Sequence, residues 1–283
     1  MNKMNELTDL SLYVEDLTNG AVTDYEVTIS SFVYLKDNDR VQITNPPQVK
    51  FGQDGISCRP AEPDQVGVIG VNCETLDDSS FAVSLTQVDK LEGDFKFIVS
   101  GLKNPPNFRT SGKFSNIYMT TGDYYEIQKL SNYDNLFIQT DTPGTITSYT
   151  RASSTEVYGL DATYSLEFMP KNPIGKNGMI ILEWSESVTF IEEDAVCKVE
   201  TNQVFTSECT FDFDAKSIKI INVFKNVEDV YDSSVTITLE KITNPESNIG
   251  LKPFKLRTYD DTSLDYPIDM LDYLPLTTCN YPC

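Results

Sequence analysis

The chain has 283 residues, 40% hydrophobic and 11% aromatic, and its 43 acidic and 22 basic side chains give a formal charge of −21 at pH 7. It contains no histidine, which removes Ser-His-Asp and Cys-His nucleophiles, histidine-ligated zinc and haem, and the usual pH switch. So negative a surface repels phosphate backbones and anionic headgroups, which argues against nucleic acid and membrane surfaces and leaves calcium or cationic partners open; no stretch approaches the roughly 18 apolar residues of a spanning helix.

In chain order, residues 1–9 read as a short polar arm and residues 10–128 as a first β-domain. Tyr25-Glu26-Val27-Thr28-Ile29 and Phe81-Ala82-Val83-Ser84-Leu85 alternate with the period of half-buried strands. Turn signals stand between them at Lys36-Asp37-Asn38-Asp39 and Asn45-Pro46-Pro47, and after them at Asn104-Pro105-Pro106. Residues 129–147 read as a connector holding Leu136, Phe137 and Ile138, so part of it is expected to pack as a strand. Residues 148–270 read as a second β-domain, with alternation at Tyr164–Phe168 and Val235–Leu239 and a turn at Asn172-Pro173-Ile174-Gly175, and residues 271–283 as a tail.

The two domains are copies. At an offset of 139, Tyr25 falls on Tyr164, Val41 on Ile180, Ile43 on Leu182, Phe51 on Phe190 and Cys58 on Cys197. At 140, Phe97 falls on Ile237, Asn104-Pro105 on Asn244-Pro245 and Phe114 on Phe254, while Cys73 meets Cys209 at 136. Short strands at this spacing, without an amphipathic helix, indicate all-β architecture: two tandem immunoglobulin-like β-sandwiches, with an up-and-down barrel as the alternative.

The six cysteines fall into three close pairs: Cys58 with Cys73, Cys197 with Cys209, and Cys279 with Cys283. The first two recur at equivalent positions, which favours disulfides contributing about 3 kcal/mol each over buried free thiols or a zinc site. The last pair either closes a small loop or bridges to another chain. Disulfides imply an oxidising compartment, hence an extracellular or cell-surface location. Because the opening residues lack the apolar run of a signal peptide, the expectation is a removed leader or a stretch of a longer chain. There is no N-x-S/T acceptor for N-glycans.

The second copy reads Tyr164-x-Leu166-x-Phe168-x-Pro170-x-Asn172-Pro173-Ile174, then Gly178-x-Ile180-x-Leu182-x-Trp184, Cys197, Cys209, Ile242-x-Asn244-Pro245-x-Ser247 and Pro253-Phe254-x-Leu256-x-Thr258-Tyr259-Asp260. This resembles the tandem repeat of very large, cysteine-containing surface proteins of ciliates and related protists. The first copy departs from the pattern at Tyr34-Leu35 and at Asn45. The resemblance implies an extracellular place, a structural or adhesive role, and no catalytic residues.

Candidate chemistry is sparse. Asp123, Glu192, Glu193, Asp194, Asp260 and Asp261 lie near expected strand ends and are the calcium candidates, although no EF-hand-like loop is present and 43 carboxylates cluster readily on a solvated face. Paired carboxylates for glycoside hydrolysis cannot be singled out, and no enzyme or other cofactor is expected. Trp184 and Tyr124-Tyr125 are candidates for a sugar-stacking platform, with core packing the stronger reading for Trp184. Leu7, Leu10, Leu271, Tyr273, Leu274 and Leu276 are apolar enough, in terminal segments, to add a strand to a neighbouring copy's open sheet edge. The leading expectation is therefore a non-catalytic subunit of an extracellular filament, coat or appendage built by homotypic assembly; the alternative is a cell-surface adhesion or carbohydrate-binding module.

Overall fold

A computed structural model of the chain describes residues 5–6, 9–61, 70–86, 88, 91–130, 134–201, 208–224 and 233–279. The chain divides into two compact units, Met1–Pro105 with Arg109–Thr142, and Pro106–Phe108 with Pro143–Cys283. In the first, the strands are β1 (Asn5–Glu6), β2 (Asp9–Val14), β3 (Val22–Leu35), β4 (Arg40–Thr44), β5 (Lys50–Phe51), β6 (Ser57–Pro60), β7 (Gly70–Thr75), β8 (Ser80–Thr86), β9 (Leu91–Lys103), β10 (Ser115–Thr120) and β11 (Glu126–Lys129). In the second they are β12 (Gly144–Thr145), β13 (Tyr149–Ser153), β14 (Asp161–Phe168), β15 (Met179–Glu183), β16 (Thr189–Phe190), β17 (Val196–Thr201), β18 (Glu208–Asp212), β19 (Ser217–Ile221), β20 (Val235–Thr243), β21 (Phe254–Tyr259) and β22 (Pro267–Leu274). A single 3₁₀ turn, Glu192–Asp194, is the only helical element among the described residues.

The two units repeat one topology. One sheet runs β1-β11-β10-β4-β8-β7 in the first and β12-β22-β21-β15-β19-β18 in the second. The facing sheet runs β2-β3-β9-β5 with β6 also on β9, and β13-β14-β20-β16 with β17 also on β20. Neighbours are antiparallel except that each unit's opening strand lies parallel to its last, β1 on β11 and β12 on β22. The non-sequential orders are those of a tandem immunoglobulin-like sandwich and rule out the up-and-down barrel.

Alternation decides which face is core. In β14 the side chains of Ala162, Tyr164, Leu166 and Phe168 point inward while those between face outward. Tyr25, Phe81, Phe95, Phe97 and Phe114 fill the first core, and Tyr164, Phe168, Phe224 and Phe254 the second. Fully burying such a side chain is worth about 1.5–3 kcal/mol, so the aromatic strand positions are the principal reason this alternation holds its register.

A polar lock recurs inside both cores. The Tyr25 hydroxyl donates to Asn104 Oδ1 at 2.6 Å, and Asn104 Nδ2 donates to the carbonyls of Asp16 and Thr18 at 2.6 and 3.0 Å. In the second unit the Tyr164 hydroxyl donates to Asn244 Oδ1, and Asn244 Nδ2 donates to the carbonyls of Thr155 and Val157, both at 2.9 Å. A buried amide thus pins the β2–β3 turn to the neighbouring end of β9, and the β13–β14 turn to that of β20, and leaves no dehydrated carbonyl there. Each turn closes on a left-handed glycine, Gly20 and Gly159.

Cys58 on β6 is bonded to Cys73 on β7, and Cys197 on β17 to Cys209 on β18, with Cα atoms 5.4 and 6.1 Å apart. Each bond joins successive strands that lie in opposite sheets, so it staples the sandwich shut on one side. Cys279 is disulfide-bonded as well; Cys283 lies outside the described residues.

Two stretches differ from the sequence reading. The segment 129–147 is not a separate connector: Leu136 and Ile138 are buried in the first core, where the Phe114 and Ser111 amides donate to their carbonyls. The residues proposed for assembly are mostly interior. Leu271 and Leu274 belong to β22 and are buried with Leu276 in the second core, and Leu10 is buried on β2 opposite Ile29. Their apolar character is spent on their own sheets, which removes them as free edge-adding surface. Tyr273 does face solvent, and Leu7 lies outside the described residues.

Candidate functional site

The calcium candidates are not brought together. Asp123 belongs to the first unit and the others to the second. Glu192, Glu193 and Asp194 form the 3₁₀ turn, and the Asp261 carboxylate is engaged by the Ser263 amide and hydroxyl. Among the described residues no group of three or more acidic or cysteine side chains could hold a metal ion, so these six are corrected to surface and turn carboxylates.

Trp184 is no sugar platform either. It is 7% exposed and sits 4.8 Å from the Phe190 ring and 5.7 Å from Phe213, with Phe211 completing an aromatic cluster beneath the second disulfide's strand β18. At the matching place in the first unit stands Asn45, 3% exposed, with neither polar side-chain atom hydrogen-bonded. Above Trp184 opens a cleft of about 370 Å³ lined by Glu183, Glu186, Asp214, Lys216, Lys252 and Lys255, where Lys252 is paired with Glu186. Its acids and bases balance, and Trp184, which lines it, shows only 7% of its surface to solvent.

Tyr124 and Tyr125 do form an exposed pair. They occupy the β10–β11 hairpin tip, 69% and 73% exposed. The Thr121 amide donates to the Tyr125 carbonyl and the Tyr124 amide to the Thr121 carbonyl, each at 2.9 Å. This tight closure holds Tyr124 in the left-handed region at φ 65°. Arg40 braces the ring: its guanidinium lies 4.7 Å from the Tyr124 centroid, donates to the Tyr124 hydroxyl at 2.9 Å, and is itself held by Glu74. The corresponding tip of the second unit carries Leu264, also left-handed at φ 68°, and no tyrosine pair.

A second open feature lies on the outer face of the β2-β3-β9-β6 sheet, a groove of about 320 Å³ lined by Tyr13, Glu15, Asp24, Glu26, Arg59 and Ile98. Arg59 spans two strands, donating to Ser100 Oγ at 2.9 Å and to Asp24 Oδ2 at 2.6 Å. Partial burial alone would raise the Asp24 pKa, but the hydrogen bonds from Ser100 and Arg59 and the Arg59 charge hold it below the ordinary carboxylate value.

The buried carboxylate among the described residues of the second unit is Asp269. It accepts from the Asn172 amide at 2.8 Å and Asn172 Nδ2 at 2.7 Å, while its own amide donates to Thr258 Oγ1 at 3.0 Å. Burial pushes its pKa up against these bonds. It reads as a structural latch between β22 and the loop ahead of β15. No helix among the described residues is long and apolar enough to cross a membrane.

No protein-family model matches the chain, and no curated protein resembles it in sequence. Solved structures to which the chain is similar include domains of bacterial surface proteins. The C-terminal domain of the Streptococcus pyogenes antigen I/II-family protein AspA is 9% identical over 90% of this chain and 96% of its own, at a TM-score of 0.31. The Enterococcus faecalis MSCRAMM ACE, described as binding its ligands by the collagen Hug model, is 10% identical over 98% and 97%, at 0.27. The N-terminal domain of the Streptococcus gordonii adhesin Sgo0707 is 13% identical over 89% and 60%, at 0.32. At such scores nothing these proteins bind carries over, and the sandwich architecture stands on this chain's own topology. None of the three is a ciliate protein, so that part of the resemblance gains no support.

Proposed function

We propose that the chain is a non-catalytic extracellular adhesion module whose first sandwich carries a ligand surface at the Tyr124–Tyr125 tip, with a carbohydrate as ligand. The observation that carries this is the pair itself: two adjacent tyrosines, each more than two-thirds exposed, held on a closed hairpin with one ring braced by Arg40. Tyrosine offers a rigid apolar face and a hydroxyl at low entropic cost, which suits sugar rings. Exposing both at one tip forfeits burial, and the second copy of the fold manages without them. The inter-sheet disulfides support an oxidising, extracellular setting.

Glycan-array binding of the intact chain, repeated with Tyr124→Ala/Tyr125→Ala, tests this. The expected result is selective binding that falls at least tenfold in the double variant. Binding to no glycan, or equal binding by both proteins, overturns it. Light scattering on the same samples addresses the alternative: growth into concentration-dependent oligomers restores the structural-subunit reading.

A further inference from the structure

The internal repeat supplies its own control, because the paired positions of these strands in one sandwich have counterparts in the other. On the outer face of the first sandwich, strand register places Tyr13 opposite Glu26, Glu26 opposite Ile98, and Ile98 opposite Arg59, a continuous row across four strands. The next row is Glu15 beside Asp24, then Ser100 and Ser57. At the same places in the second sandwich the row reads Ala152, Ser165, Thr238 and Lys198. One copy of the sheet is small and polar there; the other raises a tyrosine, an isoleucine and a crosswise arginine around a groove.

Burial does not account for the difference. Tyr13 is 64% exposed, so its ring contributes little to the fold. Ile98, half-buried, floors the groove beside it. Of the three carboxylates lining it, Asp24 is neutralised by Arg59, whereas Glu15 and Glu26 make no ion pair among the described residues. Lys96 stands one row beyond, opposite Thr28, and bounds the face on that side. The groove therefore combines an aromatic face, an apolar floor and two uncompensated negative charges.

We infer that this face is a docking surface for an extended basic peptide, a lysine or arginine stem lying on Ile98 and its charged head meeting Glu15, Glu26 and the Tyr13 ring. A cation over an aromatic face and beside carboxylates is favoured by both, and the long apolar stem of such a side chain suits the floor. The occupant follows from charge: the chain carries −21 overall, so an acidic partner, including a second copy, is repelled from this face. The surface is separate from the tyrosine tip and does not depend on the glycan reading.

The test uses the intact chain and a fluorescent twelve-residue peptide alternating Lys and Thr, with a Glu-Thr peptide as control, followed by anisotropy and calorimetry at physiological salt. The expected result is binding of the Lys-Thr peptide only, one per chain, weakened at least tenfold by Tyr13→Ala and by Glu15→Gln/Glu26→Gln and unchanged by Tyr124→Ala/Tyr125→Ala. Glu167→Gln/Glu200→Gln removes the same charge from the second sandwich and is expected to leave affinity within twofold. Carrying the row across with Ala152→Tyr/Ser165→Glu/Thr238→Ile is expected to raise the stoichiometry to two. Absence of binding, or equal losses from the two charge-matched variants, overturns the inference and assigns any attraction to diffuse charge.

Discussion

Replacing Tyr25 by Phe removes one oxygen from the centre of the first sandwich and leaves the shape of the core unchanged. The lost bond is the 2.6 Å donation to Asn104 Oδ1, which is then dehydrated without a donor. A buried acceptor left this way costs about 1–3 kcal/mol. For a unit of this size each kcal/mol lowers the melting temperature by roughly 3 °C, so Tyr25→Phe is expected to lower the first sandwich's transition by about 3–9 °C. The loss should spread to the turn at residues 16–20, because Asn104 holds the Asp16 and Thr18 carbonyls only while its own amide is oriented by the tyrosine. Tyr164→Phe is the twin experiment and should act on the second sandwich alone. Scanning calorimetry gives the transitions, and hydrogen exchange followed by mass spectrometry locates the loosened turn. A shift under about 1 °C, or loosening in the other sandwich, would refute the lock as described.

Gly101 sits at φ 93°, where an added Cβ would meet the Gly55 carbonyl oxygen at 2.2 Å; Gly101→Ala is expected to cost at least about 1–3 kcal/mol in urea unfolding. Lys241 holds the equivalent bulge at φ 63°, so Lys241→Gly should be tolerated or stabilising by up to about 1 kcal/mol. Trp184→Ala removes the hub of the aromatic cluster and should destabilise the second sandwich by about 3–5 kcal/mol, visible as the loss of one calorimetric transition with the other in place. Asp269 has a folded pKa raised above the ordinary 3.8, so the folded state holds its proton to higher pH than the unfolded chain. Stability from this group is complete below about 3.8 and is lost as pH rises through the folded value. The stability of the native chain relative to Asp269→Asn should therefore fall with rising pH, read from the fluorescence of the single tryptophan, which lies in the second sandwich; a difference independent of pH, or one that grows, would contradict this.

The sandwich pair was legible in the sequence because its determinants are local and periodic: alternation in Tyr25–Ile29 and Tyr164–Phe168 selects faces, and shared offsets tie the copies together. The lock was half visible. Tyr25 with Tyr164, and Asn104-Pro105 with Asn244-Pro245, stand out in self-comparison, but an Asn before a proline has the same appearance whether it merely turns the chain or bonds a buried tyrosine hydroxyl on the neighbouring strand, 79 residues away in sequence. The terminal segments misled for a related reason. Leu271, Leu274 and Leu276 look alike whether they complete their own sheet or a neighbour's, since strand addition uses the same alternation in both cases. Tyr124-Tyr125 stood out as adjacent tyrosines, whereas the groove proposed as a docking surface was least legible. Tyr13 and Ile98 are far apart in sequence and become one surface only when register places β2, β3, β9 and β6 side by side.

The parallel seating of each unit's opening strand has a mechanical meaning. Gly144 and Thr145 lie beside Asp269 and Met270 of the last strand, running the same way. Tension drawn in at β12 and out beyond β22 pulls these neighbours past each other along their length, so their hydrogen bonds are loaded together instead of opening one at a time like a zipper. Should that seam part, the chain between Cys197 and Cys209 still cannot pay out, because the bond between β17 and β18 short-circuits the pulling line. The same holds for Cys58 and Cys73 in the first unit. A sandwich built this way is expected to meet a steady pull with abrupt yielding of a seam and a shortened extension, a response that pulling on single molecules before and after reduction would resolve.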